Sequence, residues 1–239
     1  LREVTVRYTP EDIFRMGGVG SGLDQEAPET ISDFHPNAVL LQVPGVYIRQ
    51  EDGFGLRPNI GLRGTNPNRS AKVTLMEDGV LFGPAPYSAP AAYYFPMMGR
   101  ITGVEVLKGP ASILYGPQTV AGAINYLSRP VPEEPLGQVD LSYGRFQTIR
   151  GHLHYGRKND WGGFVVEGIH LGTQGFKRVD GDFDRGNTGF QRSELMFKGF
   201  VNNDLASHAF NRLTVKFIGS RENSNETYLG LTDADFRAD

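Results

Sequence analysis

The sequence predicts an α+β domain followed by antiparallel strands of a transmembrane β-barrel. The first observation is composition: 239 residues include 31 glycines, 15 phenylalanines and 10 tyrosines, with 21% charged residues, which is typical of many short strands and tight turns. The second is the proline-rich stretch 129–135, RPVPEEP, which is stiff and indicates a domain boundary. The third is regular alternation of apolar and polar residues after that boundary.

Charge and cysteine content exclude several classes of function. The formal net charge of −3 and the scattered lysines and arginines offer no basic surface for nucleic acid. There are no cysteines, so no disulfide framework or thiolate metal site exists. No catalytic triad, nucleophile elbow or paired carboxylates stand out, and the sequence therefore predicts no catalytic residue.

The first domain is organised around residues 100–129, RITGVEVLKGPASILYGPQTVAGAINYLSR. Alternation in 101–107 predicts a strand that ends at Lys108-Gly109-Pro110. After a short helical turn and a glycine-rich loop, 123–127 predicts a second strand.

Earlier segments add further short elements. Residues 40–48, LLQVPGVYI, predict the end of a helix, a Pro-Gly turn and a strand, and 59–64, NIGLRG, predicts a strand. In 72–82, the Asp78-Gly79 pair predicts a hairpin. Loops follow NIGLRG at 65–70 and the hairpin at 83–95.

Five alternating segments follow the proline-rich stretch. They are 139–143, 149–155, 164–171, 195–201 and 213–218. Compact turns are predicted at 158–161 and 202–207, and a long polar loop at 172–190, which is the alternation of short turns and long loops found in outer-membrane barrels. For the segment 164–171 the sequence does not decide which face meets lipid, because Glu167 shares a face with Val165 and Ile169.

Four motifs are given structural interpretations. The glycines of 17–22 lack the spacing of a phosphate loop and predict a flexible linker or edge loop. His35 is interpreted as a capping or surface residue. His152 and His154 have metal-binding spacing but no evident third ligand, so a polar pair facing the barrel lumen is predicted. Residues 180–184, DGDFD, lack the later positions of a calcium loop and are interpreted as a solvated acidic loop, with weak calcium binding at the surface as the alternative.

The strand ending in Glu-Val-Leu-Lys-Gly-Pro, followed by Leu-Tyr-Gly and Ala-Gly-Ala-Ile-Asn-Tyr, resembles the end of the plug domain of TonB-dependent outer-membrane receptors. The resemblance implies a plug domain over 1–129, a linker at 130–135 and the N-terminal part of the barrel over 136–239. The tail 227–239, TYLGLTDADFRAD, is most similar to receptors of the ferric citrate type. Such barrels close at about 22 strands, so this chain is expected to be a fragment with about five of them.

The resemblance implies an outer-membrane transporter of a Gram-negative bacterium that carries a ferric siderophore or ferric citrate-like chelate. The chelate holds the iron, so neither a cofactor nor a protein metal ligand is expected. Energy is expected from the TonB complex acting on a short N-terminal segment, which the sequence does not identify. Partners are then TonB, the ferric chelate and outer-membrane lipid. Open alternatives are uptake of cobalamin, another metal chelate or a carbohydrate, a passive porin or adhesin barrel, and a soluble enzyme.

The family's plug loops imply a ligand site at the outer side of the plug. Its residues are expected to be Asn66, Asn68, Arg69, Tyr87, Ser88, Tyr93 and Tyr94. Amides, hydroxyls and a guanidinium suit an anionic, oxygen-rich chelate. The alternative is that the tyrosines pack beneath their loop. Arg63 and Arg129 are expected to pair with barrel-wall acids, and the alternative is that they are surface arginines beside turns.

Overall fold

A computed structural model describes residues 19–24, 40–49, 54–82, 91, 94–109, 112, 115, 119–176, 188–203, 211–225 and 233–238. The chain divides into two compact units, Leu1–Arg129 and Pro130–Asp239. Within the described ranges, no helix has the length and apolar character needed to cross a membrane. His35 and the segment 180–184 lie outside these ranges.

The first unit contains short strands in two sheets. They are β1 (Val19–Asp24), β2 (Val46–Arg49), β3 (Asn59–Leu62), β4 (Val73–Glu77), β5 (Val80–Leu81), β6 (Ile101–Lys108) and β7 (Gly122–Ser128). One sheet has the order β1-β6-β7-β4-β5, and β2 pairs with β3 in the other. Only β4 and β7 are parallel neighbours in the described sheets.

The strands predicted in the organising stretch are confirmed as β6 and β7, which pair antiparallel. The predicted hairpin is confirmed as β4 and β5. Its two turn residues, Asp78 and Gly79, have φ of 49° and 79°, the left-handed pair that a two-residue hairpin turn requires.

The prediction of a flexible linker or edge loop at the glycine-rich segment 17–22 is wrong for residues 19–22. Residues 19–24 form the edge strand β1, which pairs with β6 from Val19↔Lys108 to Asp24↔Gly103. Glycine has low strand propensity, but the backbone hydrogen bonds offered by β6 override it.

A buried ion pair lies in the core of the first unit. Arg100 is fully buried, and its Nη1 and Nη2 donate to Oε1 and Oε2 of Glu77 at 2.6 and 2.8 Å. Nη2 also donates to the Tyr94 hydroxyl at 2.7 Å. The pair joins β4 to the short 3-10 turn Met98–Arg100 that begins β6, beside a cluster of apolar residues that includes Leu75, Phe95 and Tyr126.

The second unit is a single antiparallel sheet. Its strands are β8 (Leu136–Gly144), β9 (Thr148–Asn159), β10 (Gly162–Thr173), β11 (Phe190–Asn202) and β12 (Arg212–Ser224), in the order β12-β11-β10-β9-β8. A short helix, α1 (Asp233–Ala238), follows. Each of the five predicted alternating segments lies within one strand, which confirms them.

Two connections test the predicted turns. The turn between β9 and β10 is the compact pair Asp160-Trp161, and Asn159 Oδ1 accepts the N–H groups of Trp161 and Gly162 at 3.2 and 2.9 Å. The turn predicted at 202–207 is longer than expected, because β12 begins only at Arg212. Asn203 and Asn211 close this connection: the Asn203 N–H donates to the Asn211 carbonyl at 3.1 Å, and the Asn211 N–H donates to Asn203 Oδ1 at 2.7 Å.

The two faces of the second sheet differ in chemistry. The exposed face carries large apolar side chains on β8, β9, β11 and β12, namely Val139, Leu141, Tyr143, Ile149, Leu153, Tyr155, Leu195, Phe197, Val201, Leu213 and Phe217. The other face buries polar groups, among them His152, His154, Glu167, Arg192 and Glu194. Val165, Glu167 and Ile169 are buried, whereas Phe164 and Val166 on the opposite side of β10 are half-buried. The orientation of β10 that the sequence left open is therefore resolved: Phe164 and Val166 lie on the apolar face.

We expect the two units to differ in solubility. Residues 1–135 should express as a compact soluble segment, because the apolar side chains described within this range are largely buried. Residues 136–239 should require detergent, because their exposed face is apolar. Size-exclusion chromatography of the two segments checks this, and a monomeric, folded 136–239 segment in water would contradict it.

We also expect Glu77→Gln to destabilise the first unit by about 3–5 kcal/mol, because it leaves the Arg100 charge buried without its counter-charge. Urea unfolding of the 1–135 segment, followed by circular dichroism, measures the loss. Glu105→Gln is the matched control, since Glu105 is only half-buried and accepts from Asn125 Nδ2 at 2.9 Å. Equal losses in the two variants would show that the Arg100 pair has no special role.

Candidate functional site

The loop after β3 begins with a tight turn. Arg63 and Gly64 both have positive φ, 50° and 81°. Thr65 Oγ1 donates to the Leu62 carbonyl at 2.9 Å and accepts the Leu62 N–H at 3.2 Å. The turn therefore ends β3 and directs the following residues away from the strand.

Buried polar contacts fix the second half of this loop, the 3-10 turn Asn68–Ser70. Ser70 is fully buried; its Oγ accepts the Ile60 N–H and donates to the Pro58 carbonyl, both at 2.9 Å. Asn59 Oδ1 accepts the Arg69 N–H at 2.7 Å. Arg69 and Ser70 have φ of 55° and 53°, a conformation that non-glycine residues keep only when their surroundings impose it.

The side chains that this loop presents to solvent are polar or cationic. Asn66, Asn68 and Arg69 are all exposed. Asn66 Oδ1 accepts the Asn68 N–H at 2.9 Å, and Arg49 Nη2 on β2 donates to Asn68 Oδ1 at 3.2 Å. The loop thus carries three of the predicted ligand residues, and the contact of Arg49 with Asn68 adds a second arginine to them. We call Arg49, Asn66, Asn68 and Arg69 the loop cluster.

Sequence reasoning missed Arg49 because its position depends on the pairing of β2 with β3. In that register, Arg49 lies opposite Asn59, and Asn59 holds the Arg69 backbone. The run VYIR predicts a strand, but no local signal tells which strand it pairs with or in which register.

The predicted tyrosines are only partly accounted for. Tyr87, Ser88 and Tyr93 lie outside the described residues. Tyr94 is half-buried; its hydroxyl accepts from Arg100, and its ring meets Phe82 edge to face with the ring centroids 5.7 Å apart. The polar end of Tyr94 therefore serves the core ion pair, as the alternative interpretation expected of a tyrosine packed beneath its loop.

A second basic group lies at the ends of β3 and β6. The Arg63 side chain is exposed, and the backbone N–H of Arg63 donates to the Gly45 carbonyl at 2.8 Å. Lys108 is buried and donates from Nζ to the Pro44 carbonyl at 2.5 Å. Burial lowers the pKa of Lys108, and the nearby Arg63 charge lowers it further. A Cβ added at Gly109 would approach Arg63 Nη1 to 3.4 Å, so the guanidinium lies directly against this glycine.

Comparison with known families identifies the first unit. Residues 21–123 match the model of the TonB-dependent receptor plug domain. The chain belongs to the TonB-dependent receptors. The matched range contains β2 to β6, the loop cluster, and the basic pair of Arg63 and Lys108.

Related proteins agree with this assignment. The chain is 30% identical over 204 residues to the vitamin B12 transporter BtuB of Vibrio vulnificus, covering 82% of this chain and 30% of that protein. It is 26% identical over 161 residues to BtuB of Photobacterium profundum, covering 66% of this chain and 25% of that protein. The chain therefore spans less than a third of the length of these relatives.

Solved structures share the fold. The ferric citrate transporter FecA in its unliganded form matches with a TM-score of 0.69 at 20% identity, covering 97% of this chain and 35% of that chain. The ferric yersiniabactin uptake receptor FyuA of Yersinia pestis matches with a TM-score of 0.62 at 21% identity, covering 86% and 31% respectively. The fold is thus a plug domain followed by antiparallel strands of a plugged barrel.

Family membership decides several earlier predictions. TonB-dependent receptors are outer-membrane proteins of Gram-negative bacteria, so the predicted location is confirmed. They are transporters and receptors, which confirms that the chain is not an enzyme. The pairing of Arg63 and Arg129 with barrel-wall acids stays a prediction.

We expect Arg63→Met in the full-length receptor to loosen the plug. If Arg63 pairs with a wall carboxylate, its removal leaves that acid uncompensated and costs about 3–5 kcal/mol. Amide exchange in residues 59–64 should become faster, and cells should become more sensitive to large antibiotics.

Arg57→Met is the control for this experiment, because Arg57 lies in the same unit and donates to the neighbouring Leu56 carbonyl at 3.1 Å. Unchanged exchange and permeability in the Arg63 variant would contradict the ion pair.

Proposed function

We propose that this chain is part of a receptor that binds a ferric siderophore or ferric citrate-like chelate and imports it to the periplasm. The observation that supports this most is the loop cluster. It offers guanidinium and amide donors on a loop whose backbone is fixed from beneath by Ser70 and Asn59. A fixed set of donors loses little conformational entropy when it binds a ligand.

The chemistry of the loop cluster suits an anionic, oxygen-rich ligand. Arginine presents a planar fork of donors that matches carboxylate oxygens, and hydrogen bonds to charged groups are stronger than neutral ones. The chelator supplies the ligands of the iron, so the protein needs no iron ligand or cofactor of its own. Residues Tyr87, Ser88, Tyr93 and Tyr94 remain part of the proposed site, with Tyr94 contributing only the exposed part of its ring, because its hydroxyl accepts from Arg100.

Import requires energy, and we propose that the TonB complex supplies it, as the family name implies. Binding to the purified receptor would then be independent of TonB, whereas uptake into cells would require it. Comparing the two in cells with and without TonB separates recognition from transport.

Cobalamin is the second candidate ligand, because the curated relatives named above are vitamin B12 transporters. A corrinoid is large and carries many amide groups, so it would depend less on arginine charge than a ferric citrate-like anion does. The two candidates therefore predict different responses to loss of Arg69.

We expect Arg69→Ala to weaken binding of a ferric citrate-like chelate by about one to two decades, since a hydrogen bond to a charged group contributes roughly 1.5–3 kcal/mol. The Tyr93→Ala/Tyr94→Ala double variant should also weaken it. Isothermal titration of the full-length receptor with ferric citrate, a ferric siderophore and cyanocobalamin measures this, with receptor abundance in the membrane checked alongside.

Arg157→Ala is the matched control, because Arg157 is an exposed arginine near the compact turn that ends β9. Wild-type affinity for every ferric chelate in both loop variants would contradict the site. Tight binding of cyanocobalamin alone would replace the ferric chelate with the second candidate.

A further inference from the structure

Three potential metal ligands meet on the buried face of the second sheet. His152 and His154 are two residues apart on β9 and therefore project from the same face. Glu167 on β10 lies directly opposite His154 in the strand register. His152 Nε2 is 2.8 Å from Glu167 Oε1, and one ligand atom from each of the three residues lies within 4.8 Å of the others.

All three side chains are buried, with exposed fractions of 7%, 5% and 1% for His152, His154 and Glu167. Burying a carboxylate is unfavourable unless a positive charge compensates it. Glu167 already contacts His152, and a divalent cation bound between the carboxylate and the two imidazoles would add positive charge at the centre of the group.

We infer that His152, His154 and Glu167 bind a divalent transition-metal ion of the zinc type. Two neutral imidazoles and one carboxylate form a donor set typical of zinc, which accepts nitrogen and oxygen ligands and has no strong geometric preference of its own. Ligand atoms about 2.0–2.1 Å from a tetrahedral zinc ion lie roughly 3.3 Å from one another. His152 Nε2 and Glu167 Oε1 are 2.8 Å apart and all three ligand atoms lie within 4.8 Å of one another, so side-chain rotations would bring the three ligands to the separations that zinc requires.

The neighbouring strand places one more carboxylate on the same face as the three ligands. Asp140 on β8 lies opposite His152 in the register and therefore on the same face. Its Oδ2 accepts from Gln138 Nε2 at 2.9 Å. Asp140 is thus placed to orient His152 or a metal-bound water, as carboxylates near zinc-bound histidines commonly do.

This inference departs from the sequence-based prediction that the chain has no metal site. The sequence shows His152 and His154 but not Glu167, which is 15 residues from His152 and is brought to it by the β9–β10 pairing. The metal would join these two strands through side chains in addition to their backbone ladder. The three residues lie in the second unit, whereas the loop cluster lies in the first, so metal binding would not depend on which nutrient is carried.

The test uses the full-length receptor, purified in detergent and stripped with a chelator. Zinc binding is measured by competition with a chromogenic chelator, and Co²⁺ serves as a spectroscopic probe of coordination. We expect one equivalent of zinc in the wild type. His154→Ala and Glu167→Gln should each weaken binding by at least about 100-fold, because even the loss of an outer-shell partner costs 10–100-fold.

His170→Ala is the matched control. His170 lies on β10 but projects from the opposite face, where its Nδ1 is 2.8 Å from Ser193 Oγ. This variant should bind zinc like the wild type. Heat-modifiable electrophoretic mobility shows whether each variant has folded.

Zinc-edge X-ray absorption of the wild-type protein tests the site without any substitution. We expect two imidazole nitrogens and one or two oxygens at about 2.0–2.2 Å. The inference is overturned if the wild type binds no zinc, if folded His154→Ala and Glu167→Gln keep wild-type affinity, if His170→Ala weakens binding as much as they do, or if the absorption spectrum lacks imidazole ligands.

Discussion

The constraint on which the second unit depends is the two-residue period of a β-strand, which sends successive side chains to opposite faces. On β8 it places Val139, Leu141 and Tyr143 on the exposed face, and the register continues this apolar surface through Leu153 on β9 to Leu195 on β11. Water does not favour such a surface, whereas the hydrocarbon region of a membrane does. The same period leaves the other face free for polar groups, so one sequence pattern produces both the membrane-facing surface and the buried cluster of His152, His154 and Glu167.

The first unit meets the opposite requirement, because it must bury polar groups among short strands. The buried charges of Glu77 and Arg100 are satisfied by a bidentate ion pair. The buried polar side chains of Ser70 and Asn59 are satisfied by hydrogen bonds to backbone groups around β3. These buried contacts hold Arg69 and Ser70 in a conformation they would not otherwise keep. The exposed loop cluster therefore rests on buried polar contacts, which connects the stability of the plug to its proposed recognition of a ligand.

Local patterns in the sequence predict much of this fold. Alternation predicts β6 and all five strands of the second unit, and Asp78-Gly79 predicts its hairpin, because these signals depend only on neighbouring residues. Features that depend on pairing were missed: the glycine-containing edge strand β1, the partnership of Arg49 with Asn68, and Glu167 beside the two histidines. The start of β11 was also missed. Arg192 and Glu194 lie on its buried face, where Arg192 Nη2 donates to Glu194 Oε1 at 2.6 Å. Because both residues are charged, the sequence shows no apolar alternation at these positions.

The central claim, that one face of these strands meets lipid, is tested most directly by spin labelling along β8. The chain has no cysteines, so single cysteines introduced from Gln138 to Tyr143 in the full-length receptor can each carry a nitroxide in a lipid bilayer. Collision rates with oxygen, which concentrates in the bilayer, should peak at positions 139, 141 and 143 and fall at 138, 140 and 142. Rates without a two-residue period, or peaks at the polar positions, would contradict the account.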